Sequence, residues 1–180
     1  MEKKRRCSWC NENNPLYVHY HDHVWGVPVH DDTKLFEMLV LEGFQAGLSW
    51  ETILNRQQAF EKAFDGFAIE TVAAYDENRI NILMHDASII RNRRKIEAAI
   101  HNARTVLQIQ KEHGSFDAWL WSFTDGKTLK DCNPVSSPLS DKISKQMKRM
   151  GMKYTGTVII QSFLMAVGMI NGHEEQCEWR

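Results

Sequence analysis

The sequence predicts an all-α protein, and three observations carry that reading. Apolar residues recur at helical spacing in Leu35, Phe36, Leu39 and Val40, and again in Ile96, Ala99, Ile100, Ala103, Val106 and Leu107. A nearly all-apolar stretch runs from Thr155 to Ile170. No segment alternates apolar and polar residues as a half-buried strand does, and no internal repeat is present. A length of 180 residues suits one domain.

Residues 1–31 carry no helical or strand period and are broken by Pro15 and Pro28. They read as an arm that needs something other than a core of its own. Asp32 is a plausible N-cap for a helix ending around Gly43 and Gly47. Ser49 is a plausible cap for a second helix to about Phe64. Two short helices follow, near Ile69 to Ala74 and Asp76 to Met84. A helix from Arg93 to about His113 comes after a turn at residues 85–95. Ser115 to Phe123 is short and helical, and residues 124–139 form the one long loop. Ser140 to Met150 reads as a basic amphipathic helix stopped by Gly151, and Thr155 to Ile170 as a central buried helix. The expected organisation is a single domain, 1–180: termini 1–31 and 171–180, and a helical body 32–170 with its hairpin near 85–95.

The apolar fraction of 43% and charged fraction of 25% are those of a soluble globular protein. The net charge of -1 excludes a general basic sheath, so any nucleic-acid footprint is local. The opening Met-Glu-Lys-Lys-Arg-Arg precedes no apolar run, which predicts no signal peptide and a cytoplasmic protein. In a reducing compartment Cys7, Cys10, Cys132 and Cys177 are metal ligands or buried thiols sooner than disulfides.

Three features point to chemistry. Glu42 follows Leu39, Val40 and Leu41, so its carboxylate faces a partly dry place and needs a cationic or hydrogen-bonding partner. Trp9, Tyr17, Tyr20, Trp25 and Trp50 cluster in the same third of the chain. Next, Arg91, Arg93, Arg94 and Lys95 stand at or just after the hairpin turn between two helices, a pattern that suits phosphate or a solvated cap. Finally, His173 and Cys177 are four apart and can face one point. Their N-terminal partners are either Cys7 with Cys10 or Cys7 with His21. Two sulfurs and two imidazoles make a closed zinc site, whose binding free energy, on the order of 10 kcal/mol, would order both termini.

Several blocks resemble the bacterial 3-methyladenine DNA glycosylase I family, of the helix-hairpin-helix glycosylases. They are Arg6-Cys7-Ser8-Trp9, Pro15-Leu16-Tyr17, Tyr20-His21-Asp22, Trp25-Gly26, Leu35-Phe36-Glu37 and Leu41-Glu42-Gly43 with Gln45-Ala46-Gly47-Leu48-Ser49-Trp50. Ile89-Ile90-Arg91, Arg93, Lys95-Ile96, Trp121-Ser122-Phe123, Gly156-Thr157, His173 and Cys177 extend the likeness over nearly the whole chain. The resemblance implies removal of 3-methyladenine from damaged double-stranded DNA. It implies one structural Zn2+ on Cys7, His21, His173 and Cys177, with Cys10 a bystander. It makes Glu42 the residue that hydrogen-bonds the flipped base, Trp50 the stacking ring, and Tyr20, Tyr17, Trp9 and Trp25 the remaining walls.

On this reading Leu48, at the tip of the Gly47 turn, is the wedge that fills the vacated stack, and Gln45 meets the orphaned partner base. Arg91, Arg93, Arg94 and Lys95 hold phosphate. Ser88 and Arg94 stand where relatives often have glycine, and Phe44 replaces a polar residue. Glu97 is the first acid after Lys95, so the aspartate that many helix-hairpin-helix glycosylases carry after the hairpin is absent. Water then attacks the sugar with no lysine Schiff base. The rivals are a non-enzymatic zinc-stapled DNA-binding module and a zinc hydrolase of small molecules. The first leaves Glu42 unexplained, and the second needs an open metal position.

Overall fold

The structure, a computed structural model, describes residues 4–133 and 135–180. Met1 to Lys3, on which the signal-peptide reading begins, and Pro134 of the long loop lie outside the described residues. Among the described residues ten α-helices follow in order: α1 (Pro15–His23), α2 (Asp32–Gln45), α3 (Trp50–Leu54), α4 (Gln57–Ala63), α5 (Ile69–Ala73), α6 (Glu77–His85), α7 (Arg93–His113), α8 (Phe116–Trp121), α9 (Pro138–Arg149) and α10 (Thr157–Ala166). No described helix is long and apolar enough to cross a membrane.

The buried helix α2 is the hub. Every residue from Leu35 to Phe44 is buried, and the helix packs against α3, α7, α8 and α10. Asp31, one residue earlier than expected, caps it: its carboxylate accepts from Lys34 N at 2.8 Å. Asp32 caps a different helix. Its oxygens accept from Phe116 N and Asp117 N at the start of α8, both at 2.8 Å. Gly43 lies inside α2 instead of ending it, and a Cβ there would meet Tyr154 Cβ at 3.4 Å.

Three other expectations need correction. The N-terminal arm is not aperiodic: Asn14 caps α1 by accepting from Leu16 N at 3.1 Å, and Pro15 occupies its first turn. Proline is tolerated there because that N–H has no helical partner. The helix expected from Ser49 to Phe64 is broken at Asn55 and Arg56 into α3 and α4. The last long helix ends at Ala166. Gly168 then turns at φ +73° against Pro28, where a Cβ would meet backbone at 2.4 Å. The fold is mostly helical, as expected, with one small addition. A short parallel pair, β1 (Leu129–Lys130) with β2 (Ile170–Asn171), ties the long loop to the C-terminal segment. Two-residue strands are too short to leave a period in the sequence.

Candidate functional site

The end of α2 carries Glu42 into a cavity of about 280 Å3. Helix α1 contributes Tyr17 and Tyr20, and the flanking loops Trp9 and Trp25. Gln45, Trp50 at the start of α3, and Ser162 and Met165 from α10 complete the wall. Tyr20 and Trp50 lie against each other at 5.3 Å, tilted by 43°, so they form one apolar face and not a slot between two rings. Trp9 meets Tyr17 at 5.6 Å and Trp25 edge-on at 4.7 Å. All five aromatic residues predicted for the site are together. Gln45 lines the cavity as well. Ser162 and Met165 were missed; Ser162 was visible only as a polar interruption in an apolar helix.

Two buried glutamates on α2 show what is unusual about this cavity. Glu37 accepts from Lys34 Nζ at 2.6 Å and from Gln57 Nε2 at 2.8 Å. Glu42 is only 4% exposed, and its Oε2 has no partner among the described residues. Burial pushes its pKa up to about 8. Trp50 Nε1 is likewise buried and unpartnered. An unsatisfied buried acceptor and donor are each costly, and a polar planar ligand would satisfy them.

Between the lining residues Gln45 and Trp50, Gly47 turns the chain at φ +80° and Leu48 is 40% exposed. The neighbouring basic turn between α6 and α7 differs from its sequence reading. Lys95 points inward, donating to Phe44 O at 2.7 Å and Ala46 O at 2.6 Å. Its ammonium thus caps the last carbonyls of α2 and has no reach to phosphate. Replacing Lys95 by Met should cost about 1–3 kcal/mol in urea unfolding, because two carbonyls lose their donor. Unchanged stability would contradict this capping role. Arg93 is taken up by Glu77, Asn81 and Glu97. Ser88 N and Oγ both donate to Asp86 Oδ1, which keeps that carboxyl ionised at the turn. Arg91 and Arg94 remain exposed.

The turn between α9 and α10 is more open to an anion. Gly151 and Tyr154 adopt φ +83° and +53°. Gly156 starts α10 without any side-chain cap, which leaves the first amides of α10 uncapped. Lys148, Arg149 and Lys153 are exposed around it.

Behind the cavity, Cys7, His21 and Cys177 place ligand atoms within 4.8 Å of one another, all buried, and this group could hold a metal ion. His21 Nε2 lies 3.5 Å from Cys177 Sγ. Of the two N-terminal pairings the sequence left open, the structure assembles Cys7 with His21. Cys10 faces Tyr17 O instead, at 3.9 Å. His173 adjoins the group, with its ring 5.1 Å from that of His21. Its Nε2 is buried with no partner among the described residues. The far nitrogens of both rings are fixed: His21 Nδ1 by Asp22 Oδ1 at 2.8 Å, and His173 Nδ1 by Asn171 Oδ1 at 2.9 Å. Metal-bound histidines are usually oriented in this way. Burial raises the Cys7 thiol pKa, so a nearby cation is what would hold it as thiolate.

Comparison with known proteins agrees with this geometry. Residues 9–180 match the methyladenine glycosylase family model. DNA-3-methyladenine glycosylase 1 of Escherichia coli (strain K12) is 44% identical over 179 residues, covering 96% of this chain and 95% of that protein. A crystal structure of 3-methyladenine DNA glycosylase I superposes with a TM-score of 0.92 at 41% identity, over 97% of this chain and 98% of the other. A second, in complex with 3-methyladenine, superposes at 0.89 with 36% identity, over 97% and 96%. The chain belongs to the methyladenine glycosylase family.

Proposed function

We propose that the chain is a DNA repair glycosylase. It flips 3-methyladenine out of alkylated duplex DNA and hydrolyses its glycosidic bond, leaving an abasic site. The observation that carries this is the unpartnered Glu42 carboxyl, buried among five aromatic rings in a cavity of about 280 Å3. A similar structure binds 3-methyladenine, which supports assigning the cavity to that base. We read the whole chain as one domain of helix-hairpin-helix type, working in the cytoplasm.

A base in duplex DNA must leave the stack before its sugar can be attacked. Leu48, exposed on its turn, is the wedge, and Gln45, which lines the cavity, meets the orphaned partner base. 3-Methyladenine in DNA is cationic and departs as a neutral base, so its bond is weak and little general-acid help is needed. The electron-rich face of Tyr20 and Trp50 favours a cationic ring. In the empty cavity at neutral pH, Glu42 is mostly protonated. The incoming cation favours the carboxylate, which then accepts hydrogen bonds from the base and discriminates against uncharged adenine. Because that attraction fades as the base becomes neutral, Glu42 serves selectivity more than rate. A duplex with one 3-methyladenine should yield an alkali-labile abasic site and no borohydride-trapped adduct. An intact strand would contradict excision, and a trapped adduct would contradict hydrolysis by water.

The metal is assigned as one structural Zn2+ on Cys7, His21, Cys177 and His173. The buried, unpartnered His173 Nε2 supports the fourth position. Four protein donors close the coordination sphere, so the ion would hold the termini and stay out of the chemistry.

For the DNA backbone, we move the main contact from the α6–α7 turn to the α9–α10 turn. The uncapped start of α10 with Lys148, Arg149 and Lys153 suits phosphate better than a turn holding ionised Asp86. Arg91 and Arg94 flank it. Replacing Lys148 and Arg149 together by Ala should reduce the slope of log affinity against log salt by about 2. Arg93→Ala should leave that slope nearly unchanged. The reverse pattern would restore the α6–α7 turn as the phosphate site.

A further inference from the structure

Two lining residues of the base cavity, Trp9 and Trp25, rest on the histidines of the candidate metal group. Trp9 lies 5.2 Å from the His21 ring, centroid to centroid. Trp25 meets His173 edge-on at 4.6 Å, and the two indoles touch at 4.7 Å. Met165 is held from the same side: a Cβ on Gly172, beside His173, would lie 2.8 Å from its Sδ. The chain leaving Trp25 is equally close. Gly26 turns at φ +78°, donates to Met165 O at 3.1 Å, and would place a Cβ 3.0 Å from His173 Cε1.

Each histidine ring is anchored from behind, by Asp22 or Asn171. The front of His173, its Nε2, has no partner among the described residues. Edge-to-face contact depends on ring tilt, so the tilt of His173 decides where Trp25 stands. His21 Nε2 already accepts from Cys7 N at 3.2 Å, so a metal ion in front would add most to the hold on His173.

We propose that His21 and His173 are positioning residues of the base cavity: the rings hold Trp9 and Trp25, and affinity for a planar methylated purine follows how firmly those rings are fixed, by Asp22 and Asn171 behind and by metal in front. This rests on the reading of the cavity as the base site. A staple that only joined the termini would leave base affinity untouched in any sample whose helices remain folded.

The experiment titrates free 3-methyladenine into zinc-loaded wild type, chelator-stripped wild type and zinc-loaded Asn171→Ala, following heat and tryptophan emission. Circular dichroism and metal content are recorded for each sample. Asn171 lines no part of the cavity and is no metal ligand, but it orients His173. The stripped protein and Asn171→Ala should both bind base at least about tenfold more weakly, with helical signal retained. Wild-type affinity in zinc-bound Asn171→Ala, or in a stripped and still helical protein, overturns the proposal. If stripping unfolds the chain, Asn171→Ala decides alone. Loaded wild type that takes up no base overturns the reading of the cavity itself.

Discussion

Glu42→Gln should weaken capture of the cationic base and so lower 3-methyladenine excision at limiting substrate by about 10- to 100-fold, the scale of losing a hydrogen bond to a charged group. The same change should make the protein more stable in alkali. The folded carboxyl has its pKa pushed from 4.5 to about 8 by burial. Between those values it is protonated when folded and ionised when unfolded. Unfolding then releases a proton, so wild-type stability falls as pH rises across that window, by up to ~1.4 kcal/mol per pH unit. Glutamine has no proton to lose and removes that slope. Urea unfolding of both proteins at pH 5 and pH 8.5, beside excision rates, checks the pair of effects. Parallel stability curves, or wild-type excision, would remove Glu42 from its role. The opposite movement of stability and activity marks a site held against its folding preference.

The second large effect is expected at the buried group of Cys7, His21 and Cys177, assigned above to zinc. Cys177→Ser should take the metal content from one per chain to near zero. It should also lower stability by several kcal/mol, because structural zinc binding is worth on the order of 10 kcal/mol in small sites. Without the ion, the termini are joined by weaker links. Ser8 N and Oγ donate to Glu174 at 2.8 and 2.6 Å, on the surface, and Arg5 N donates to Glu178 at 3.2 Å. His21 and His173 would remain buried beside an unfilled space. A thermal melt with metal analysis reads both changes. One zinc retained per chain would show that Cys177 is no ligand.

The residues most legible in the sequence were those whose role is local. The α7 stripe is set by helical period alone, and both its bounds match. Ser49 sits where an N-cap is needed and accepts from Thr52 N at 3.2 Å. Glu42 stood out because a carboxylate after three apolar residues is costly anywhere. What could not be read depends on partners far along the chain. Lys95 looks like a phosphate ligand until its 2.7 Å bond to Phe44 O, 51 residues away, is seen. Asp32 is a plausible cap for its own helix and in fact caps α8. Met165 has no polar mark to distinguish it from the core. The α6–α7 turn collects arginines in sequence, but Glu77 and Glu97 neutralise one and Asp86 occupies the backbone. Charge counted along a chain does not record which charges are already paired.

The most direct measurement is release of free bases from methylated duplex DNA, resolved by chromatography. The account predicts release of 3-methyladenine by the wild type, with 7-methylguanine left in the DNA, and reduced release in Glu42→Gln at limiting substrate. A folded, zinc-loaded protein that binds the duplex and releases no base, or releases 7-methylguanine equally well, would contradict it.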